Sequence, residues 1–163
     1  MSSISSADTD GPRHRRRLTT SVKDSLRALS LQLTLLNHQV STHLEIKDVD
    51  LDCLDLIGRF GPLSPTALAR HARLHPATVT GVLDRLERGG WAVRERDTTD
   101  RRAVLVRALP GRAAEVFGLY SGMATSMDQI CAGYTGEQLE LLAGFLRDVT
   151  EAGQTATDQL AEN

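Results

Sequence analysis

The sequence predicts a mainly α-helical fold with one small β-hairpin, a winged helix-turn-helix flanked by long dimerisation helices. Three features support this prediction. Apolar residues recur at steps of three and four along most of the 163 residues, as in amphipathic helices. Start and stop residues of helices delimit two short helices near the middle. An alternating segment with a polar tip follows them at once, as in a β-hairpin.

The two short helices are predicted from their capping residues. Ser64 and Pro65 place a capping hydroxyl and a ring of fixed φ at the start of the first helix. His75 and Pro76 begin the second helix in the same way, and the glycines at 89–90 end it. The apolar face of the second helix is expected to contain Val79, Val82, Leu83 and Leu86. These helices alone are also compatible with an ordinary helical hairpin whose polar face is solvated.

The hairpin decides between these two interpretations. Residues 91–96 alternate like a half-buried strand, and residues 103–107 are rich in β-branched side chains. Residues 97–102 between them form a polar tip with two adjacent arginines. Helix, helix and charged hairpin together predict a winged helix-turn-helix, in which the second helix can enter a DNA major groove.

The run of residues 78–94, followed by Asp-Thr-Thr-Asp-Arg-Arg at 97–102, resembles the MarR family of bacterial transcriptional regulators. The resemblance is densest over residues 51–109. The family often carries Arg or Ser where this chain has Gly81, and Leu-Thr where it has Leu109 and Pro110. The resemblance implies a DNA-binding regulator whose Asp100 orients a wing arginine. It also implies a small aromatic or phenolic effector bound between the dimerising helices and the winged module.

Contacts with double-stranded DNA are expected along the second short helix and the wing. Small and hydroxyl-bearing residues let the helix approach base edges, and arginines reach guanine or phosphates. The residues expected to read bases are Ala77, Thr78, Thr80, Gly81 and Arg85. Those expected at the DNA backbone or in the wing are Ser64, Thr66, Arg88, Arg94, Arg96, Asp100, Arg101 and Arg102.

The charge distribution favours a nucleic-acid partner over other partners. The net charge of the whole chain is −2, yet residues 58–112 hold 11 arginines and five acidic residues, a net charge of +6. A basic module within an acidic chain is typical of a DNA reader. The alternatives are a chance cluster of solvated arginines and a winged helix that binds another protein, for which a basic wing is not required.

The flanking regions are expected to form a homodimer. We predict a disordered basic tail at 1–18 and a single domain at 19–163. Within that domain, 49–110 is the DNA-binding module, and 19–48 and 111–163 are dimerisation helices. Their apolar residues repeat at coiled-coil spacing, although part of each stripe must cover the core of its own subunit. The residues expected at the dimer interface are Leu26, Leu29, Leu33, Tyr120, Met123, Met127, Ile130, Leu142 and Leu146.

The sequence says less about the ligand or signal that regulates DNA binding. Residues that could line an effector pocket are Asn37, His38, Cys53, Arg59 and Trp91, although each also fits an ordinary core or surface role. A redox-sensing variant would need a reactive Cys53 or Cys131, and a zinc-sensing variant would use His71 and His75. Pro76 argues against the zinc site, because a new helix that starts there separates the two histidines.

Composition excludes several other classes. There is no apolar run that could cross a membrane, no signal region at the amino terminus, and only two widely spaced cysteines. These features lead us to expect a cytoplasmic protein without a membrane partner. No nucleophile with a base, metal cluster or phosphate-binding glycine loop is evident, so we expect no enzyme and no cofactor.

Overall fold

The structure, a computed structural model, describes residues 11–100 and 102–161. Backbone contacts divide the chain into two compact units, residues 1–116 and 117–163. The elements in chain order are α1 (Pro12–His43), α2 (Asp48–Phe60), α3 (Pro65–Ala72), α4 (Pro76–Arg88), β1 (Ala92–Arg96), β2 (Val104–Ala108), α5 (Pro110–Cys131) and α6 (Gly136–Ala161). This order confirms the predicted fold class.

Helix α1 begins earlier than the sequence suggested. Pro12 occupies the first helical position, and the arginine-rich run after it continues the helix. Proline suits that position, because its fixed φ matches the helix and its missing N–H has no partner there anyway; arginine has a high helix propensity. The expectation of a disordered tail is therefore corrected for residues 12–18, while residues 1–10 lie outside the described part.

The two short helices form as predicted. The Ser64 hydroxyl accepts a hydrogen bond from the Ala67 N–H at 3.1 Å, which caps α3. At the start of α4 the Nδ1 atom of His75 accepts one from the Ala77 N–H at 3.2 Å. Helix α4 ends at Arg88 with Gly89 as its C-cap, and the positive φ of Gly90 (69°) turns the chain into the wing. Helices α3 and α4 are thus separate, as the position of Pro76 predicted.

The wing is a two-stranded antiparallel hairpin. Ala92 pairs with Ala108 at its base and Arg96 with Val104 near its tip. A further bridge joins Leu63, just before α3, to Val106. The sheet is therefore hydrogen-bonded to the segment that leads into the helix-turn-helix, which couples the wing to the helices.

The core of the first unit lies among α2, α3, α4 and the wing. Its fully buried side chains include Ile57, Leu68, Leu83, Leu86 and Val106. All four apolar residues predicted for the inner face of α4 are buried. The polar face of α4 is consequently the one left toward solvent.

The second unit contains most of α5 and the whole of α6. Thr135 and Gln138 form a reciprocal cap at the start of α6: the Thr135 N–H donates to Gln138 Oε1 at 2.9 Å, and the Gln138 N–H donates to the Thr135 hydroxyl at 3.3 Å. Neither α5 nor α6 contains a buried residue. No helix in the described ranges has the length and apolarity needed to cross a bilayer.

Candidate nucleic-acid interface

The first turns of α4 present a small, polar and accessible surface. Ala77, Thr78 and Thr80 are all exposed. The Thr80 hydroxyl donates to the Pro76 carbonyl at 3.1 Å, which leaves its lone pairs accessible to an outside donor. Gly81 follows on the same helix, and a Cβ placed there would come no closer than 3.5 Å to the Arg85 side chain. Position 81 therefore has room for a larger side chain.

Arg85 is held inside the module and does not extend freely from α4. Its Nε and Nη2 atoms donate to the Oδ2 and Oδ1 atoms of Asp50 at 2.9 and 2.6 Å. The Asp50 side chain is 3% exposed and that of Arg85 is 33% exposed. Hydrogen bonding to Asp50 raises the pKa of Arg85 further. This ion pair opposes the expected base contact, because the guanidinium would have to leave a buried carboxylate first.

Arg94 is likewise engaged at the root of the wing. Its guanidinium forms an ion pair with Glu87 and another with Asp84, the latter at 2.9 Å. Its backbone N–H also donates to Glu87 Oε1 at 2.8 Å. Arg94 thereby ties β1 to α4, which corrects the expectation that its charge is simply available to phosphates.

The tip of the wing is organised by Asp100. Its Oδ1 atom accepts a hydrogen bond from the Arg102 N–H at 3.0 Å, and its backbone carbonyl accepts one from the Ala103 N–H at 2.9 Å. Asp100 therefore holds the backbone at Arg102, and the Arg102 side chain is exposed. Arg101 lies outside the described residues.

Three other residues expected at the DNA backbone are exposed to solvent. Arg96 is exposed at the end of β1 and forms no ion pair within residues 11–100 and 102–161. Arg88 is exposed at the end of α4, where its Nε atom donates to the Asp84 carbonyl at 3.1 Å. Thr66 is exposed on the first turn of α3. The accessible cations thus lie at the end of α4 and along the wing.

The apolar side chains expected at a dimer interface are largely exposed in the single chain. In α1, Leu29 and Leu33 are exposed and Leu26 is half-buried. In the second unit the exposed members of the set are Met123, Met127, Ile130, Leu142 and Leu146, and Tyr120 is half-buried. These surfaces meet the requirement for association, namely apolar area that the chain itself leaves uncovered.

The residues expected to line an effector pocket take part in separate local contacts. The imidazole of His38 bonds to Asp48 at 2.9 Å, and Arg59 lies 3.9 Å from Asp55. Trp91 is buried under the guanidinium of Arg112, which lies 4.1 Å from its ring centroid. Asn37 is half-buried in α1, and Cys53 is fully buried in α2.

Neither sensing variant gains support from the geometry. Burial, together with Asp50 and Asp52 nearby, raises the pKa of Cys53 to about 11, which suppresses the reactive thiolate. Among the described residues there is no group of three His, Cys, Asp or Glu side chains that could hold a metal ion. His71 and His75 lie on either side of the break between α3 and α4.

Sequence reasoning missed the acidic residues that position the arginines. Asp50 lies on the same face of α2 as the buried Leu54 and Ile57, four and seven residues later. An acid within an apolar helical stripe needs a buried partner, and that signal was available in the sequence. Glu87 carried no comparable signal, because it occupies an ordinary polar position of α4.

The sequence of the winged module is similar to that of known regulators. A model of the MarR family matches residues 46–104. The uncharacterized HTH-type transcriptional regulator YcgE of Bacillus subtilis is 29% identical over 130 residues, which cover 79% of this chain and 84% of YcgE. The HTH-type transcriptional repressor YetL of the same organism is 29% identical over 89 residues, covering 55% and 53% of the two chains.

Solved structures share the fold. A MarR family protein from Bacillus stearothermophilus superposes with a TM-score of 0.66 at 19% identity, covering 85% of this chain and 97% of that one. A mutant of S. aureus MepR, solved bound to an oligodeoxyribonucleotide, gives a TM-score of 0.54 at 17% identity, with coverages of 80% and 96%.

Proposed function

We propose that this chain, whose residues 46–104 match the MarR family model, is a helix-turn-helix transcriptional regulator that represses transcription as a ligand-responsive homodimer on a pseudo-palindromic operator. The proposal depends on one observation, the exposed first turns of α4 together with exposed arginines on the wing. Two of these, Arg96 and Arg102, form no ion pair within the described residues. The repressor name of YetL and the DNA in the MepR structure support the same function.

Different residues supply specificity and affinity in this proposal. Ala77, Thr78 and Thr80 approach base edges in the major groove, where each base pair has its own pattern of donors and acceptors. Arg96, Arg101 and Arg102 contact phosphates or enter the minor groove. Arg85 acts as a positioning residue, because its bond to Asp50 holds α4 against α2.

The homodimer sets the geometry of the operator. The exposed apolar stripes of α1, α5 and α6 are the surfaces we propose for association. A two-fold dimer places two copies of α4 about 34–36 Å apart, in successive major grooves on one side of the duplex. The effector is a small aromatic or phenolic molecule whose binding disfavours the DNA-bound conformation by thermodynamic coupling.

The test is fluorescence anisotropy on the DNA upstream of the protein's own gene, against a scrambled duplex, over a salt series. We expect tight binding to the native duplex and a steep salt dependence. Thr78→Ala should reduce the preference for the native duplex roughly tenfold. Arg101→Ala and Arg102→Ala should each weaken binding to both duplexes and flatten the salt slope by about one.

Arg27→Ala is the matched control, since Arg27 is an exposed arginine on α1 paired with Asp24. It should leave both affinity and salt slope unchanged. Equal, weak binding to the two duplexes would contradict the proposal and favour a winged module that binds another protein.

A further inference from the structure

One arginine joins the first turn of α5 to the end of α4. The Nη2 atom of Arg112 donates to the carbonyl of Gly89, 23 residues earlier, at 3.1 Å. Gly89 is the C-cap residue of α4, where backbone carbonyls lack a partner inside the helix. A cation at this end also interacts favourably with the helix dipole. Arg112 therefore completes the end of the helix that carries the proposed base-reading residues.

The same guanidinium covers the residue from which the wing begins. Its central carbon lies 4.1 Å from the ring centroid of Trp91, within the distance of a cation–π contact. Trp91 is 3% exposed and directly precedes β1. A cation over a largely desolvated ring is attracted more strongly than a cation at an open surface. One side chain thus contacts both the end of α4 and the root of the wing.

The indole of Trp91 has little freedom to move away from this contact. Its backbone N–H donates to the Leu86 carbonyl at 2.8 Å, and its carbonyl accepts from the Leu109 N–H at 2.9 Å. A Cβ at Gly89 would lie 2.5 Å from Cδ1 of the indole, so a larger residue there would displace the ring. The position of the ring is therefore fixed jointly by the end of α4 and the segment that leads into α5.

The orientation of Arg112 is set from α5 itself. Its Nη1 atom donates to Oε2 of Glu115, three residues along the helix, at 2.7 Å. The planar guanidinium thereby meets a carboxylate, a carbonyl and an aromatic face at once, which a lysine ammonium cannot reproduce. Arg112 is the last arginine of the basic segment 58–112 and is half-buried, in contrast to the exposed Arg96 and Arg102 of the wing. Its charge is used within the protein.

We propose that Arg112 is a positioning residue for DNA recognition. It fixes the end of α4 and the root of the wing against the first turn of α5. The placement of Thr78 and Thr80 toward base edges then depends on a residue that itself contacts no DNA. This role rests on the proposed DNA-binding function and adds a residue to it.

The contact has a direct spectroscopic reporter, because Trp91 is the only tryptophan of the chain. Arg112→Ala uncovers one face of the indole, so its emission should shift to longer wavelength and its acrylamide quenching constant should rise roughly twofold. Arg112→Lys keeps the charge and the aliphatic stem, and both values should fall between those of the wild type and the alanine variant. Circular dichroism should show equal helix content in the three proteins. If Arg112→Ala loses helix content, Arg112→Lys decides both this measurement and the next.

Anisotropy with the native and the scrambled upstream duplexes measures the effect on recognition. Arg112→Ala should weaken binding to the native duplex roughly tenfold and leave the salt slope unchanged, because no counterion-releasing contact is lost. Binding to the scrambled duplex should hardly change, and Arg112→Lys should recover part of the lost affinity. Arg27→Ala is the matched control, because it also removes an arginine from an ion pair three residues apart within one helix. It should alter neither Trp91 emission nor DNA binding.

Any of three results would overturn the role of Arg112. Unchanged Trp91 emission and quenching in Arg112→Ala would show that the guanidinium does not cover the ring. Unchanged affinity of this variant for the native duplex would leave the contact without a part in recognition. Equal losses on both duplexes with a flatter salt slope would make Arg112 a phosphate contact.

Failure of the proposed function gives a different result. Wild-type protein that shows no preference for the native duplex would overturn that function, and the role of Arg112 with it. A wild-type preference that survives Arg112→Ala unchanged would overturn the role of Arg112 alone.

Discussion

The winged module and the second compact unit use similar helical sequence patterns with opposite results. Helix α4 has 13 residues, and its apolar face is buried within the chain. Helix α6 has 26 residues with apolar side chains at helical spacing, yet Leu142 and Leu146 are 41% and 48% exposed. The spacing of apolar residues thus predicts that a helix has a face to bury, but it does not tell what covers that face.

The largest expected effect is a loss of stability when a buried apolar side chain is truncated, in contrast with an exposed one. Leu83→Ala should lower the free energy of unfolding by about 3 kcal/mol, because it leaves a cavity in a closely packed core. Leu83 is fully buried, whereas Leu141 on α6 is 74% exposed. Leu141→Ala should change stability by less than about 0.5 kcal/mol.

Urea unfolding followed by circular dichroism at several protein concentrations measures both changes. A loss for Leu141→Ala well above about 0.5 kcal/mol that does not depend on protein concentration would contradict the expected difference between buried and exposed side chains. A loss that grows with protein concentration would place Leu141 within the association surface proposed for α6.

The reactivity of the two cysteines also distinguishes a buried side chain from an accessible one. Cys53 is buried in the first unit, and Cys131 is partly accessible at the end of α5. With its pKa raised to about 11, Cys53 should react with a thiol reagent at about pH 8 at least roughly 100-fold more slowly than an ordinary accessible thiol. Mass spectrometry after timed labelling should find the modification at Cys131 first. Modification of Cys53 at a comparable rate in the folded protein would contradict the assigned burial.

A smaller loss of stability is expected when the ion pair between Asp50 and Arg85 is removed. Asp50→Ala should cost about 2 kcal/mol of stability, less than the loss of a fully buried partner, because Arg85 is one-third exposed. It should also weaken operator binding in the anisotropy assay, since α4 loses its link to α2.

Asp52→Asn is the matched control for this ion pair, two residues along the same helix and without an ion-pair partner in the described ranges. It should change stability by no more than about 0.5 kcal/mol. In a double-mutant cycle, Asp50→Ala and Arg85→Ala together should cost clearly less than the sum of the single changes. Additive costs would show that the two side chains do not stabilise one another.

Much of the local structure was predictable because the relevant forces act over a few residues. The Ser64 and Thr135 caps, the glycine stop after α4 and the polar tip of the hairpin each depend on neighbours within one or two turns. The start of α1 lies earlier than the sequence analysis predicts. The charge of the arginine-rich run favours a solvated tail, but the high helix propensity of arginine after Pro12 favours the helix that forms.

The partners of the arginines could not be predicted in the same way. Arg85 and Arg94 both follow the pattern of DNA-contacting residues, yet one is bound to Asp50, 35 residues away, and the other to Glu87 and Asp84. The charge of an arginine and its position on a helix show only that it could contact DNA or an acidic side chain. Which acidic group reaches it depends on how the helices pack.

The sequence by itself determined the order of helices, the winged hairpin and the buried face of α4, since periodicity, capping and turn residues are encoded locally. The tertiary structure decided which cations stay available to a nucleic acid and which are bound by carboxylates of the same chain, as Arg85 is by Asp50. The physical reason is that ion pairing and desolvation act between groups that are close in space, and only folding brings distant segments of the chain together.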